Sequence, residues 1–345
     1  MKKIVILLCS LVLTVTSFGQ QEEKIRQLVS EGTKLHDEGK YEEAVSKYRE
    51  ALKIDKNSPL ANYELSYTCM VTGKYDDAIY YSRKVLEKSD DLQEHAYLVL
   101  GSSFDLKKFP VEAISVFQEG LKKFPKSNLL YYNLALTAYN QGKLELAENS
   151  AIQAILSKPM HGSSHLVLAS VMQDKEEQVK ALLPMYYFLL MEPDSRRSAD
   201  IYKILRSILV KGIEKKSGKE IKINVSNSSK HDSLFRSAET FLGLMGASSY
   251  IEANKDKTEY ELFAETTKSL FSVLEMTRKE QTGIWWDLYV DKFSNLIHSG
   301  CAEAFSYYIS QSANSELVNN WIIKNGDKMT KFRAWMKANG VSTHS

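Results

Sequence analysis

Residues 39–56 read GKYEEAVSKYREALKIDK. Tyr41, Ala44, Tyr48 and Ala51 recur there at helical spacing, so they form one face of an amphipathic helix that starts just after Gly39. Glu42 and Glu43 fall in its first turn, where acidic side chains complement the helix dipole. Working outward, the small residue of this helix returns on a beat. Ala44, Ala78, Ala113, Ala147 and Ala181 stand 34, 35, 34 and 34 residues apart, and Gly32, Ser66, Gly101, Ala135 and Ala169 keep the same spacing in the preceding helices. Two small positions repeating in step describe paired helices that approach each other closely, stacked pair upon pair.

Gly39, Tyr41, Ala44, Tyr48 and Ala51 stand where the second half of a tetratricopeptide repeat has its turn glycine, first aromatic, small alanine, second aromatic and following alanine. The stretch therefore resembles that family, and the resemblance covers about residues 25–193. It implies an all-α chain with five helix pairs in a right-handed superhelix, at residues 25–57, 59–92, 94–126, 128–161 and 162–193. Gly39, Gly73 and Gly142 mark turns, whereas the third pair has Lys107, Lys108, Phe109 and Pro110 there and the fifth has Asp174 to Glu177. The fifth pair is degenerate in a second way: Pro184 falls inside its second helix, which should begin late or kink.

The chain opens with Lys2 and Lys3, an apolar run over 4–15, and small residues at Ser17 and Gly19. That is the pattern of a secretory leader, with cleavage expected between Gly19 and Gln20 and a periplasmic or secreted destination. The run falls short of the ~20 residues of a spanning helix, so no transmembrane segment is expected in the mature chain. Without the leader, 43 basic residues face 43 acidic ones. Nucleic acid is a poor partner for such a surface, which lacks a concentrated basic patch. Cys69 and Cys301 remain, too few for a disulfide-stapled fold, although they could pair with each other.

The expected organisation is a leader over 1–19, the repeat array over 20–193, a helix and linker over 194–232, and a helical domain of no recognised type over 233–345. Within the linker, helical spacing runs over 198–213, and 222–229 reads as an extended linker or an isolated strand. Helices are expected at 233–250, 259–278, 284–298, 301–311, 315–323 and 326–338. All four tryptophans, Trp285, Trp286, Trp321 and Trp335, lie in this last region, and neighbours such as Trp285 and Trp286 cannot both face one core. One of them could mark a peptide, glycan or membrane-interface contact; core packing explains both more simply.

Residues with chemistry are few. His161 and His165 have the four-residue spacing of metal ligands on a helix, but no third ligand accompanies them, and they read as surface histidines. The acid pairs Glu42-Glu43, Asp76-Asp77 and Glu176-Glu177 sit at helix starts and need no catalytic role. No cofactor or metal is expected. An enzyme or glycan-binding module in the last region, using His231, His298 or Glu303, is the alternative from another class.

The resemblance places partner recognition on the first helix of each pair. Carried through the repeat register, the inward positions are Tyr63, Tyr67, Met70, Leu98, Tyr132, Leu136, Tyr139 and Asn140, flanked by His36, Asp37, His95 and Asp105. That wall is aromatic and suits an extended or helical segment of a partner protein, unless the carboxyl-terminal half of this chain covers it. Chaperone-binding members of the family line the wall with cations that clamp a carboxylate. Here Val29, Thr33 and Tyr63 occupy the matching positions, so that activity is not implied.

Overall fold

The computed structural model describes residues 2–88, 91–211, 213–215, 221–223, 234–248 and 254–341. The chain divides into two compact units, residues 1–141 and 142–345.

The first unit consists of α1 (Lys2–Asp37), α2 (Tyr41–Ile54), α3 (Pro59–Val71), α4 (Tyr75–Leu86), α5 (Gln93–Leu106), α6 (Pro110–Lys123) and α7 (Asn128–Asn140). The odd-numbered helices touch one another in sequence, α1 on α3, α3 on α5 and α5 on α7, while the even-numbered ones make no comparable contacts among themselves. The odd row is thus the more closely spaced and forms the inner side of the stack in this unit.

Close approach within a pair follows from the small positions. Ala44, Ala78 and Ala113 are each the fourth residue of their helix and have no exposed surface. Tyr48 lies over Gly32, where an added Cβ would stand 2.4 Å from the ring, and Phe117 lies over Gly101 at 2.3 Å. No side chain fits there. The second repeat solves the same problem with less volume on the even helix: Ser66 and Ser82 hold the corresponding positions, both fully buried. A large ring thus goes with glycine and a small side chain with serine, which keeps the pairs filled without overlap.

The turns share one conformation. Gly39, Gly73 and Gly142 have φ of 75°, 75° and 66°, and Lys108 and Glu176 reach 69° and 60° at the equivalent positions. The next amide closes the helix end, as in Lys40 N–H to Leu35 O at 2.8 Å and Phe109 N–H to Phe104 O at 2.8 Å. The departures from glycine therefore leave the turn intact, at the ordinary cost of a left-handed backbone for a residue with a Cβ. Ser58 and Ser127 open α3 and α7 by accepting from the amides of Ala61 and Leu130.

The second unit continues with α8 (Leu144–Ser157), α9 (Gly162–Asp174), α10 (Gln178–Met191) and α11 (Arg196–Leu209). Ala147 and Ala181 again stand fourth in their helices, fully buried. Helix α10 runs through Pro184, neither delayed nor stopped by it. Every residue from Ala181 to Met191 is buried, because α9, α11, α12 (Arg236–Ser248), α15 (Ala302–Ile309) and a π-helical segment (Ile284–Val290) surround the helix. A helix apolar on all sides can only be an interior one. The repeat-like pair α9–α10 therefore shares its core with the carboxyl-terminal helices: Tyr186 of α10 packs edge-on to Phe271 and Phe293 at 5.1 and 6.0 Å.

Beyond α11 the chain departs from the expected helix over 198–213. Ile213–Lys215 and Ile221–Ile223 form β1 and β2, an antiparallel ribbon that pairs Ile213 with Ile223 and Lys215 with Ile221. These are the only strands among the described residues; of the strand or linker expected over 222–229, residues 224–229 lie outside them. The remaining helices, α13 (Glu259–Thr277), α14 (Asp291–His298), α16 (Glu316–Lys324) and α17 (Gly326–Ala338), fall close to their expected places. Wider winding at 284–290 buries Trp286 against Phe235 at 4.9 Å and leaves Trp285 half-buried beneath the Lys180 ammonium. Both Cys69 and Cys301 are free, buried thiols. Among the described residues no helix is long and apolar enough to cross a membrane.

The ring-over-glycine contact makes a direct prediction. Gly101→Ala should lower the denaturation midpoint, by about 1 to 3 kcal/mol of overpacking, despite alanine's better helix propensity. In a Phe117→Leu background the same change should cost little or become stabilising. A double-mutant cycle in urea with no coupling would show that the ring does not rest on Gly101.

Candidate functional site

A run of rings in mutual contact starts at Tyr41 of α2 and continues along the inner row of the first unit. Tyr41 meets His36 edge-on at 5.1 Å, His36 meets Tyr67 at 5.3 Å, Tyr67 stacks on Tyr63 at 6.5 Å, and Tyr63 meets His95 edge-on at 5.7 Å. The run crosses α2, α1, α3 and α5. It exists because the repeat register sends the same side of successive odd helices inward. His36 is further fixed by a 2.8 Å hydrogen bond between its Nδ1 and Thr68 Oγ1.

Of the expected inward residues, Tyr63 is half-buried and Tyr67 is 37% exposed. Leu98, Tyr132, Leu136 and Tyr139 are half-buried along α5 and α7, and Asn140 is exposed at the end of α7. Met70 is shared with the interior, since it packs against the core cluster around Ala44, Tyr48 and Leu65. Val29 does not line the wall: it is 3% exposed and belongs to that same cluster. Thr33 turns toward the hydroxyl of Tyr48 at 3.5 Å. The burial of Val29 goes with the large Tyr48 ring, which belongs to the same cluster.

Several apolar side chains that the register also sends inward were not among the expected site residues. Val71, Leu106 and Leu129 are 45%, 48% and 40% exposed. Glu64, which the register does not select, is half-buried on α3, and its pKa is raised by burial and by the nearby Asp37 carboxylate. Burial, with help from Glu64 and Tyr67, pushes the Tyr63 hydroxyl up to about 12. These groups stay neutral or apolar more readily than free ones, in keeping with a surface that is partly sheltered from water.

The other residues with chemistry do not gather. His165 is fully buried, which corrects its reading as a surface histidine. Its Nε2 donates to the Pro159 carbonyl at 2.8 Å, since a carbonyl can only accept, and its Nδ1 accepts from the Tyr289 hydroxyl at 2.7 Å. Both ring nitrogens are thus occupied, and no lone pair remains for a metal. His161 instead stands at the start of α9, with its Nδ1 2.7 Å from Ser164 Oγ. His298 and Glu303 meet separate surface partners, Glu275 and Lys328, each at 2.6 Å. His231 lies outside the described residues. Among the described residues no group of three metal-ligating side chains occurs.

Comparison with known proteins bears on the helix pairs. Residues 32–70 match a family model described as TPR repeat, and 110–163 one described as tetratricopeptide repeat. No curated protein matches the chain. Among solved structures, YrrB, titled a TPR protein with an unusual peptide-binding site, is similar at 18% identity over 55% of this chain and 97% of its own, with a TM-score of 0.42. TTC0263, a thermophilic TPR protein of Thermus thermophilus, is similar at 20% identity over 54% of this chain and 98% of its own, at 0.43. Pseudomonas aeruginosa pilF is similar at 18% identity over 76% of this chain and all of its own, at 0.48.

The buried His165 makes stability depend on pH. Burial holds its pKa at about 4, below the 6.5 of an exposed imidazole, so between these values the unfolded chain binds a proton that the folded chain refuses. The stability is complete above pH 6.5 and is lost as pH falls toward 4, by about 2 kcal/mol at pH 5. Urea midpoints at pH 7.5 and 5.0 should therefore drop further in the wild type than in His165→Gln. Equal drops would remove His165 as the source.

Proposed function

Starting from the premise that this chain is a tetratricopeptide-repeat protein in its first half, we propose that it is an exported adaptor. It would hold a segment of another protein along the inner face of α1, α3, α5 and α7. The observation that carries the reading is the apolar surface left open there: Tyr67, Val71, Leu106 and Leu129 are each more than a third exposed, on successive inner helices, beside the run of rings. Aromatic rings with polar tips suit such recognition, because they bury large area for few frozen torsions. An extended segment would place alternate side chains between neighbouring helices, and a helical one would lay a stripe across them.

Export rests on the leader-like residues 1–19, and a role in assembling or secreting envelope components is the setting we favour for an exported binding scaffold. The chemistry asked of it is positioning. Aromatic and aliphatic contacts supply affinity, and the polar residues at the rims, His36, Asp37, His95 and Asp105, set orientation.

A photoreactive phenylalanine analogue in place of Tyr132, expressed in the native cells, should give an adduct with another protein. Its yield should fall in a Tyr67→Ala background, by about fivefold if the ring contributes at the level typical of an interface anchor. Recovery of intramolecular products alone would end the open-groove reading. Export is checked separately: the mature protein should begin at Gln20 on amino-terminal sequencing, and a retained Met1 would withdraw it.

A further inference from the structure

Resting on the groove reading above, we infer that the segment held along this face is cationic, with lysine or arginine side chains interleaved among apolar ones. Beyond α1, the inner helices of the first unit carry acidic side chains and no cations. Helices α3, α5 and α7 contain no lysine or arginine, whereas Glu64, Glu94 and Asp105 lie on α3 and α5. The even helices are balanced: Lys47, Arg49 and Lys53 accompany Glu42, Glu43 and Glu50 on α2, Arg83 and Lys84 accompany Asp76 and Asp77 on α4, and Lys122 and Lys123 accompany Glu112 and Glu119 on α6. On α1 the inward Arg26 is already paired with Glu22 at 3.2 Å, and Lys34 stands by Glu38.

The centre of the negative face is the junction of the first two repeats. Asp37 ends α1, and its charge is felt by the half-buried carboxyl of Glu64 on α3. Among the described residues neither carboxylate meets a cation or a hydrogen-bond donor. Their neighbours in the chain, His36 next to Asp37 and Tyr63 next to Glu64, belong to the run of rings through Tyr67. Two carboxylates without a cation partner, on the same stretch of the inner row as the tyrosine rings, suit an ammonium or guanidinium, which both negative charge and ring quadrupoles attract. An anionic segment would meet like charge with nothing to offset it. The chemistry is the reverse of a cationic groove that clamps a carboxylate.

The test uses the full chain and three labelled peptides of one leucine- and tyrosine-rich pattern, in which the variable position is lysine, glutamine or glutamate. By fluorescence anisotropy the lysine peptide should bind about tenfold or more tighter than the glutamate peptide, with the advantage shrinking as salt is raised. The double change Asp37→Asn with Glu64→Gln should remove most of the lysine peptide's advantage over the glutamate peptide, read as the ratio of the two affinities in the same variant. Tyr67→Ala should weaken all that bind. Equal affinity for lysine and glutamate peptides, a lysine advantage untouched by the double variant, or no binding by any peptide would overturn the inference. If the glutamine peptide responds to Tyr67→Ala while lysine gains nothing, the groove stands and only its charge preference falls. If no binding responds to Tyr67→Ala, the groove reading itself falls.

Discussion

The close seating of one helix on its partner is the constraint from which the rest follows. Tyr48 over Gly32 and Phe117 over Gly101 leave no room for even a methyl group, so the distance within each pair is set by side-chain volume and not by loop length. Once pairs are that tight, the odd helices can also reach one another, and their inward side chains line up from repeat to repeat. The ring contacts from Tyr41 to His95 are a by-product of that alignment: none of those residues is adjacent in sequence, yet the register places them within touching distance. A looser stack would scatter the same side chains.

Much of the fold could be read from the chain because the constraint is periodic. Small residues recurring at a fixed interval name their own helices, and all five spaced alanines occupy the same helical position, buried. What periodicity does not encode is context. Lys108 and Glu176 look like broken turns in sequence, yet they adopt the left-handed backbone of the glycines they replace, because the flanking helix-end hydrogen bonds are unchanged. Pro184 looks in sequence like a delayed start or a kink, yet α10 begins six residues before it and runs on through it, since tight burial on all sides outweighs one lost backbone hydrogen bond. The ribbon after α11 was legible only as a weak alternation, as three-residue strands carry too little pattern to announce their pairing.

The candidate site was legible in part for the same reason. The repeat register names inward positions, and Tyr63, Tyr67, Leu98 and the α7 residues at those positions are half-buried or exposed. It fails at Val29, where the demand of the Tyr48 ring for neighbours overrides position. It is silent on Glu64, whose importance lies in what surrounds it: Asp37 comes from the preceding repeat, a proximity across 27 residues of chain that no local pattern declares. His165 is the converse. Its spacing from His161 suggests a ligand pair, but a carbonyl and a phenol hydroxyl in the interior claim both of its nitrogens.

The all-round burial of α10 has a consequence for how the protein is made. As the chain leaves the ribosome, this stretch of leucine, methionine, tyrosine and phenylalanine is complete about a hundred residues before the partners that shield it, Phe271, Phe293 and Phe305, have been synthesised. Until then an oily cylinder waits in water, ready to aggregate or to be caught by a holding chaperone. A product shortened at the end of the fifth helix pair would never escape that state. The carboxyl-terminal helices thus serve as a built-in cover without which the last repeat-like pair has no soluble form.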